Sequence, residues 1–243
     1  MTIKLITFDL DNTLWDNNPV LLRAEQACYD YLQQQAPQLK QYYSLNKMAK
    51  LRMEMMASSP QLSAQVSKVR KQAMQRALEE INHDNALIPT LVEQAFNRFH
   101  DERNKVVLFD QTIPLLQDLQ KKYQLGSITN GNSDLEKIGI AHYFAFSLSA
   151  EKVGAKKPRP NIFHAAMHKA DVSPQEMIHI GDHHDDDIYG AQQLGIHTIW
   201  FNPQKLRWED ESDKSPPTAT VFCLSEIPQA IEKIKLKSLK PAR

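Results

Sequence analysis

Two aspartates, Asp9 and Asp11, follow a short apolar and β-branched run at residues 3–8. Such a run is typical of a strand that is buried on both faces of a parallel sheet. One residue separates the two carboxylates, so both are expected at the carboxyl end of the strand, where open α/β sheets place their ligands. Two neighbouring anions are costly without a cation or a shared proton, which favours a metal site. A turn capped by the two aspartates is the alternative.

A second polar group, Thr129-Asn130-Gly131, ends the predicted strand at residues 124–129. The Thr129 hydroxyl can donate a hydrogen bond, and Gly131 lets backbone N–H groups approach an anion closely. The group therefore predicts a neutral donor pocket for an anion. An ordinary strand-to-helix turn with an asparagine cap is the alternative.

A lysine pair, Lys156-Lys157, precedes Pro158 and a helix that is predicted to begin shortly after it. Proline restricts the backbone at this point and suits the first turn of a helix. We expect Lys157, the residue next to the proline, to point at the strand ends, and Lys156 to face water. A pair of surface charges is the alternative.

A cluster of aspartates follows the predicted strand at residues 177–180. The strand stops at Gly181-Asp182, and Asp185, Asp186 and Asp187 lie at the start of a predicted helix. Acidic side chains suit the positive end of a helix. Because the cluster follows a strand, as Asp9 does, it is interpreted as part of a site and not as a solvated loop.

Three histidines lie in or beside this cluster. His183 and His184 allow a zinc or iron interpretation, since imidazole is a common ligand of those metals. The surrounding carboxylates instead favour a hard ion such as Mg²⁺. His179 alternates with apolar neighbours and is interpreted as a core histidine whose hydrogen bonds are satisfied.

The elements that must position these side chains alternate between helix and strand from about Gln111 onward. This alternation predicts an α/β fold, a doubly wound parallel sheet with helices on both faces. The predicted strands are residues 3–8, 124–129, 144–148, 177–180, 197–201 and 220–224, and the predicted helices are 112–123, 133–139, 161–170, 187–194 and 225–234.

The segment between the first two strands is different, because strand signals are absent from it. Apolar residues recur there at steps of three or four, which predicts helices with one buried face. The four stretches are 20–31, 48–55, 62–81 and 88–99. We therefore predict a core of residues 1–16 and 108–243 that carries an inserted α-helical cap at 17–107.

The composition limits the classes of partner. The chain has 243 residues, with 29 Lys and Arg against 29 Asp and Glu, so its formal net charge is zero. This balance argues against broad binding to nucleic acid or to an anionic membrane. Two cysteines are too few for a disulfide framework, and no signal peptide or membrane span is recognised. We expect a cytoplasmic protein, and the choice between monomer and dimer stays open.

The four groups, taken in order, resemble the four motifs of the haloacid dehalogenase-like hydrolase superfamily. The matching segments are Asp9-Leu10-Asp11-Asn12-Thr13, Thr129-Asn130-Gly131, Lys157-Pro158 and residues 181–187. The resemblance covers about residues 3–203 and implies a Rossmann-like core, and the insertion lies where this superfamily has its first type of helical cap. Residues 15–23 and 128–132 are similar to a bacterial branch that dephosphorylates FMN and 5-amino-6-(5-phosphoribitylamino)uracil. Asn12 stands where many members have aspartate.

The resemblance implies a Mg²⁺-dependent phosphatase that acts on a small phosphorylated metabolite, with these two compounds as candidate substrates. Asp9 would be the nucleophile that forms an aspartyl-phosphate, and Asp11 the general acid and base. The ion would be held by Asp9, the Asp11 main-chain carbonyl and Asp182. Thr129 and Lys157 would also act in catalysis by neutralising the phosphate oxygens. The expected substrate-binding residues are Thr129, Asn130, Gly131 and Lys157, and the expected supporting residues are Asp186 and Asp187.

Other functions within and outside the superfamily stay open. A phosphatase for nucleotides or sugar phosphates and a phosphomutase use the same groups, and a protein that binds without catalysis is a further alternative. A dehalogenase is disfavoured, because it needs neither an acid for its leaving group nor a metal, whereas Asp11 is present. Trp15, Asn18 and Arg23 are candidates for substrate selection. Arg23 could pair with a second anionic group of the substrate or simply lie in water.

Overall fold

A computed structural model describes residues 2–59 and 62–238 of the chain, which form two compact units. The first, here called the α/β unit, consists of Met1–Asp16, Val107–Gly131 and Gly139–Arg243. The second, here called the helical unit, consists of Asn17–Val106 and Asn132–Ile138. Met1 and residues 239–243 of the predicted core, and Pro60 and Gln61 of the predicted cap, lie outside the described residues.

The α/β unit is built on a six-stranded parallel sheet in the order β3-β2-β1-β4-β5-β6. The predicted fold class, a doubly wound α/β sheet with an inserted helical segment, is therefore confirmed. The strands are β1 (Leu5–Phe8), β2 (Gln124–Thr129), β3 (Phe146–Ser149), β4 (Met177–Gly181), β5 (His197–Phe201) and β6 (Ala219–Val221).

Strand β1 lies between β2 and β4, and all four of its residues are buried. Its last residue, Phe8, is in register with Ser127 of β2 and Ile180 of β4. The carboxyl ends of the three strands therefore meet at one edge of the sheet, which is where open α/β folds bind ligands. Asp9 continues this register, since its backbone N–H donates to Ile180 O at 2.8 Å.

Helices connect the strands, as the alternating pattern predicts. The helices from Thr112 onward are α6 (Thr112–Leu119), α7 (Leu135–Ile138), α8 (Ala150–Val153), α9 (Pro160–Ala170), α10 (Gly190–Gln192), α11 (Trp208–Glu211) and α12 (Ile227–Ser238), of which α7 belongs to the helical unit. Short 3₁₀ turns lie at Ala141–Tyr143, Pro174–Glu176 and Leu224–Glu226.

The largest difference from the predicted elements follows β4. Residues 187–194 were predicted as one helix, but the chain forms a π-helix at His184–Tyr189 and then the short α10. Both Asp187 and Ile188 donate their backbone N–H groups to His183 O, at 3.0 and 3.3 Å, which marks the wider turn. The spacing of apolar residues cannot distinguish such a turn from an α-helix, because the π-helical turn adds only one residue to a short segment.

The helical unit contains the four predicted helical stretches and one short helix, α2, that was not predicted. Its helices before residue 107 are α1 (Asn17–Gln35), α2 (Leu39–Tyr42), α3 (Leu45–Ser58), α4 (Val66–Glu80) and α5 (Ile88–Arg103), with a 3₁₀ turn at Leu62–Ala64. The buried face of α1 is Val20, Ala24, Cys28 and Leu32, a strict step of four. The spacing of apolar residues in the sequence predicts Val20, Ala24, Ala27 and Tyr31 on this face. Tyr31 does pack against the core while partly buried, but the buried residue one turn after Ala24 is Cys28 and not Ala27.

The segment 132–138 was predicted as part of the core but groups with the helical unit. The Asn132 side chain donates to Ser67 Oγ at 3.0 Å, and the backbone N–H of Asp134 donates to Asn104 Oδ1 at 2.7 Å. These polar contacts explain the grouping, and no hydrophobic period in the sequence could indicate them.

Candidate active site

Lys157 lies at the centre of a buried cluster of charges in the α/β unit. Its ammonium donates to Asp9 Oδ1 at 2.5 Å, Asp187 Oδ1 at 2.6 Å and Ile128 O at 2.8 Å. Lys157 is 1% exposed and Asp9 is 7% exposed. An ammonium has three donors, so all of them are used within the protein. Lys157 therefore contributes positive charge next to Asp9, and it has no spare donor for a ligand while these bonds persist.

Asn130 holds the segment that carries Lys157. Its Oδ1 accepts from the Lys157 backbone N–H at 2.8 Å, and its Nδ2 donates to Lys157 O at 3.1 Å and to Asp186 Oδ2 at 3.0 Å. Asn130 was expected to bind substrate, but its side-chain amide is committed to Lys157 and Asp186. The amide therefore positions the lysine.

Thr129 and Gly131 form a tight turn directly after β2. The backbone N–H of Gly131 donates to Thr129 Oγ1 at 3.0 Å, so this N–H is not directed at a ligand as expected. A hydroxyl that accepts one hydrogen bond still has its own proton to donate. The buried Thr129 hydroxyl thus keeps a proton that it can donate.

Asp187 is held in position by a hydrogen bond from a buried histidine. His179 Nε2 lies 3.0 Å from Asp187 Oδ1, and His179 Nδ1 lies 2.8 Å from Thr7 Oγ1. Burial lowers the pKa of His179, so the neutral ring donates from Nε2 to the carboxylate and accepts the Thr7 proton at Nδ1. The prediction of a satisfied core histidine describes its burial, but it missed the contact with the charge cluster.

Gly181 lets Asp187 approach β4. A Cβ atom on Gly181 would lie 2.3 Å from Asp187 Cγ, so any other residue there would displace this carboxylate. The π-helix brings Asp187 back over the strand, where Asp187 Oδ2 accepts from the backbone N–H of His183 at 3.0 Å. The glycine and the wide turn together place Asp187 beside Lys157.

Asp182 lies at the end of β4 and is held by two side chains. Thr13 Oγ1 donates to Asp182 Oδ1 at 3.3 Å, and the Trp200 indole N–H donates to Asp182 O at 2.8 Å. Neither Thr13 nor Trp200 was predicted to contact the site. The position of Thr13 within the first motif was the available signal for its role.

Asp11 lies on the turn that leaves β1. Asn12 has a positive φ of 61°, a left-handed conformation that asparagine tolerates better than most residues. Asp11 Oδ1 accepts from the Trp15 indole N–H at 3.1 Å. Trp15 was a candidate for substrate selection, but it is fully buried and contacts the site from within the fold.

The electrostatics of the cluster show an excess of negative charge. Asp9, Asp182 and Asp187 have ligand atoms within 4.8 Å of one another, and Lys157 is the ammonium among them. Burial raises the pKa of Asp9 well above its usual range, with Lys157 opposing this effect, and it raises the pKa of Asp182 to about 7. Lys157 and His179 keep the pKa of Asp187 below its usual range in spite of its burial. A further cation would relieve this repulsion.

The donor set fits a hard divalent ion. Within residues 2–59 and 62–238, the ligating side chains spaced to share an ion are those of Asp9, Asp182 and Asp187, all of which offer oxygen. Oxygen donors with excess negative charge suit Mg²⁺, whereas zinc favours histidine and cysteine. The Nδ1 atom of His183 instead accepts from the backbone N–H groups of Asp185 and Asp186, at 3.3 and 3.1 Å.

Arg23, in the helical unit, is tied down by its neighbours. Its guanidinium donates to Glu102 Oε2 at 2.9 Å, to Glu102 O at 3.2 Å and to Lys105 O at 2.5 Å. Arg23 therefore contributes a contact between α1 and the end of α5, while its side chain stays 44% exposed to water, as one of the two expectations for it had it.

The chain belongs to the haloacid dehalogenase-like hydrolase family, whose profile matches residues 6–201. It is 31% identical over 202 residues to the 5-amino-6-(5-phospho-D-ribitylamino)uracil phosphatase YigB of Escherichia coli, covering 83% of this chain and 84% of that protein. It is also 28% identical over 172 residues to a phosphoserine phosphatase of Thermus thermophilus, covering 68% and 66% of the two chains.

A solved structure described as a 2-haloacid dehalogenase from Pseudomonas syringae is similar to nearly the whole chain. It is 38% identical, its TM-score is 0.89, and the match covers 96% of this chain and 99% of that one. The predicted membership of the superfamily is thus confirmed. Relatives that are named for different activities share this fold, so the fold alone does not determine the reaction. In the part of the chain that the structure describes, no helix is both long and apolar enough to cross a bilayer.

Proposed function

We propose that this protein is a magnesium-dependent phosphomonoesterase that acts on a small phosphorylated metabolite. The observation that carries the proposal is the arrangement at the end of β1, where Asp9 is paired with Lys157 and Asp11 is held by Trp15. This arrangement supplies a nucleophile and, two residues later, a separate carboxyl group for proton transfer. The phosphatase relatives support the same reaction.

In the first step, a carboxylate oxygen of Asp9 attacks phosphorus and forms an aspartyl-phosphate. The bond between phosphorus and the ester oxygen breaks, and the electron pair stays on that oxygen, which takes a proton from Asp11. In the second step, water attacks phosphorus, Asp11 accepts the proton of the water, and Asp9 is released with inorganic phosphate. Lys157 stabilises the ionised form of Asp9 during both steps through its charge.

Thr129 directs its hydroxyl proton toward a phosphate oxygen, while Asn130 and Asp186 keep the Lys157 segment in place. Asp9, Asp182 and the Asp11 main-chain carbonyl would hold Mg²⁺. When bound there, the ion supplies charge that offsets the repulsion between the carboxylates and a phosphate dianion. His179 and Lys157 already engage Asp187 Oδ1, so we assign Asp187 a supporting position beside the ion.

A dehalogenase is the second candidate, because the solved relative at 38% identity carries that description. Dehalogenation would also use Asp9 as the nucleophile, but a halide leaves without a proton. It gives no role to the carboxyl group that Trp15 holds at Asp11. It also gives no role to the excess of negative charge at Asp9, Asp182 and Asp187, which a cation would offset, so the site favours phosphoryl transfer.

The two reactions are separated by measuring both products with one enzyme preparation. Phosphate release is measured with FMN, p-nitrophenyl phosphate, nucleotides and sugar phosphates, and chloride release with 2-chloropropionate, each with Mg²⁺ or with EDTA. We expect phosphate release that EDTA abolishes, and no chloride release. Chloride release without phosphate release would overturn the proposal in favour of the dehalogenase.

The metal is tested by thermal unfolding with and without Mg²⁺. We expect the ion to raise the Tm of the wild type, since a ligand that binds the folded state stabilises it. The Asp182→Asn variant should lose this increase. The exposed Asp118→Asn variant, which alters only a surface ion pair with Lys122, should keep it. Equal increases in all three proteins would contradict the assigned site.

For the substrate, we propose the phosphoribitylaminouracil intermediate or FMN, since the E. coli relative is named for the former. Both carry a phosphate on a ribityl chain. The phosphate panel above tests this choice, because a kcat/KM for FMN no higher than that for simple sugar phosphates would count against it. Isomerised sugar phosphate without free phosphate would indicate a phosphomutase instead.

A further inference from the structure

Trp15 makes a directed hydrogen bond to the carboxyl group proposed as the general acid. Its indole N–H donates to Asp11 Oδ1 at 3.1 Å, and the Trp15 side chain is 0% exposed. An indole has one N–H donor and no acceptor, so Trp15 is the donor and Asp11 the acceptor of this hydrogen bond. A buried tryptophan that contributed only packing would not need to reach Asp11.

The segment that carries Trp15 is held in place by its backbone. Trp15 forms β-bridges with Asp11 and with Leu108. Leu14 O accepts from the Phe109 backbone N–H and from Thr112 Oγ1, both at 3.0 Å. The indole is therefore a fixed donor, and it limits the rotation of the Asp11 carboxyl group.

We propose that Trp15 is a positioning residue, which holds the Asp11 carboxyl group in the orientation from which it protonates the departing ester oxygen. This inference rests on the proposed phosphatase function. Because Asp11 Oδ1 already accepts the hydrogen bond from the indole N–H, the acidic proton of the carboxyl group is favoured on Oδ2. In the first step, that proton moves to the ester oxygen as the bond from phosphorus to this oxygen breaks.

The leaving group determines how much this proton transfer matters. An alkoxide is strongly basic and departs slowly unless it is protonated, whereas p-nitrophenolate is a stable anion near neutral pH. The loss of a well-placed acid should therefore slow the cleavage of an alkyl phosphate far more than that of p-nitrophenyl phosphate. A general loss of structure would slow both equally.

The test compares kcat/KM for FMN, an alkyl phosphate, with kcat/KM for p-nitrophenyl phosphate in Trp15→Phe. This constant covers the steps up to the departure of the leaving group. We expect a decrease of about tenfold to a hundredfold for FMN, and of less than about threefold for p-nitrophenyl phosphate. The matched control is Trp208→Phe, which removes another nearly buried indole that donates to a backbone carbonyl, Lys214 O, at 2.8 Å. It should leave the ratio of the two constants unchanged.

A double variant shows whether Trp15 acts through Asp11. Trp15→Phe should cause little further loss for FMN when it is added to Asp11→Asn, because the group that it positions is already absent. Equal losses for both substrates, or the same loss with and without Asp11, would overturn the role of Trp15 while the phosphatase function stands. A wild type that hydrolyses neither ester would overturn the proposed function and this inference with it.

If circular dichroism shows that the Trp15→Phe variant does not fold, a variant with benzothienylalanine at position 15 is used in its place. This residue has the shape of tryptophan but carries sulfur in place of N–H. An unchanged ratio in that variant would overturn the inference, and the expected shift in the ratio would support it.

Discussion

The two units each contain a buried cluster of charges, and the clusters are opposite in balance. In the α/β unit, the ammonium of Lys157 contacts the carboxylates of Asp9 and Asp187, and Asp182 has a ligand atom within 4.8 Å of theirs. In the helical unit, the guanidinium groups of Arg52 and Arg70 share one carboxylate. Their nitrogens lie 2.5 and 2.9 Å from Glu25 Oε1, and the three side chains are 11–15% exposed.

The surroundings of the two clusters explain what each one does. Arg70 lies over the Phe99 ring at 3.6 Å, so its excess charge is partly met inside the unit, and burial lowers its pKa to about 10. In the α/β unit, the excess charge lies on carboxylates at the sheet edge, and burial raises the pKa of Asp9 and Asp182. The first arrangement joins helices α1, α3 and α4, whereas the second keeps an excess of negative charge that a bound cation would offset.

The largest effect is expected for Asp9→Asn. Turnover should fall by about 10⁴-fold or more, because the nucleophile is removed. Stability without metal should be unchanged or higher, since the substitution removes one of three repelling carboxylates and leaves Lys157 paired with Asp187. Phosphate release and urea unfolding in EDTA measure the two quantities. Retained turnover would exclude Asp9 as the nucleophile, and a clear loss of stability would contradict the excess of negative charge.

The residues at this edge of the sheet could be predicted because they follow strands directly in the sequence. Asp9, Thr129 and Asp182 each come one or two residues after an apolar run, and parallel strands bring such positions together. The hydrogen bonds that support these residues were not predictable, because each one depends on a side chain from a distant part of the chain. The pairing of Thr7 with His179 requires the register of β1 with β4, which no local pattern contains.

The helical unit shows the same limit more strongly. Periodicity predicts its helices, but the rotation of each helix about its axis determines which polar side chains meet. Glu25, Arg52 and Arg70 come from three helices and have no common spacing. The wrong assignment of the α1 face, with Ala27 in place of Cys28, shows how small an error in rotation hides such a cluster.

A large loss of stability is expected for Lys157→Met. Without the ammonium, the neighbouring carboxylates of Asp9 and Asp187 are buried without their partner, which should cost about 3–5 kcal/mol. Urea unfolding in EDTA measures this loss. Combining it with Asp9→Asn should recover part of the stability, since one of the repelling charges is then gone. A variant as stable as the wild type would mean that the cluster is not held together by Lys157.

A smaller loss of stability is expected in the helical unit, where the removal of a negative charge, and not of a positive one, destabilises the cluster most. Glu25→Gln leaves two guanidinium groups around a neutral amide and should cost about 2–4 kcal/mol, whereas Arg70→Met keeps the pair of Glu25 with Arg52 and should cost less. The control Glu54→Gln removes an exposed pair with Lys50 and should change stability by less than about 0.5 kcal/mol.

The comparison with the α/β unit is then direct. Removal of an anion should destabilise the helical cluster and leave the other cluster as stable as before. Equal responses of Glu25→Gln and Asp9→Asn in urea unfolding would show that the two clusters do not differ in the sign of their excess charge. Hydrolysis of p-nitrophenyl phosphate should be unchanged in Glu25→Gln below the unfolding transition, since Glu25 is assigned no role in phosphoryl transfer.

The smallest effect concerns Cys28, which lies beside the helical cluster. Burial raises the pKa of its thiol from 9.0 to about 11. The folded state therefore keeps this proton more tightly than the unfolded state, so the neutral thiol contributes stability below pH 9 that is lost as the pH rises toward 11. Between pH 8 and pH 10, the wild type should lose about 1 kcal/mol more than Cys28→Ala. Urea unfolding at both pH values measures this difference, with the exposed Cys223→Ala as the control that should follow the wild type. Parallel pH dependence in wild type and Cys28→Ala would place the thiol in contact with water and not in the core of the helical unit.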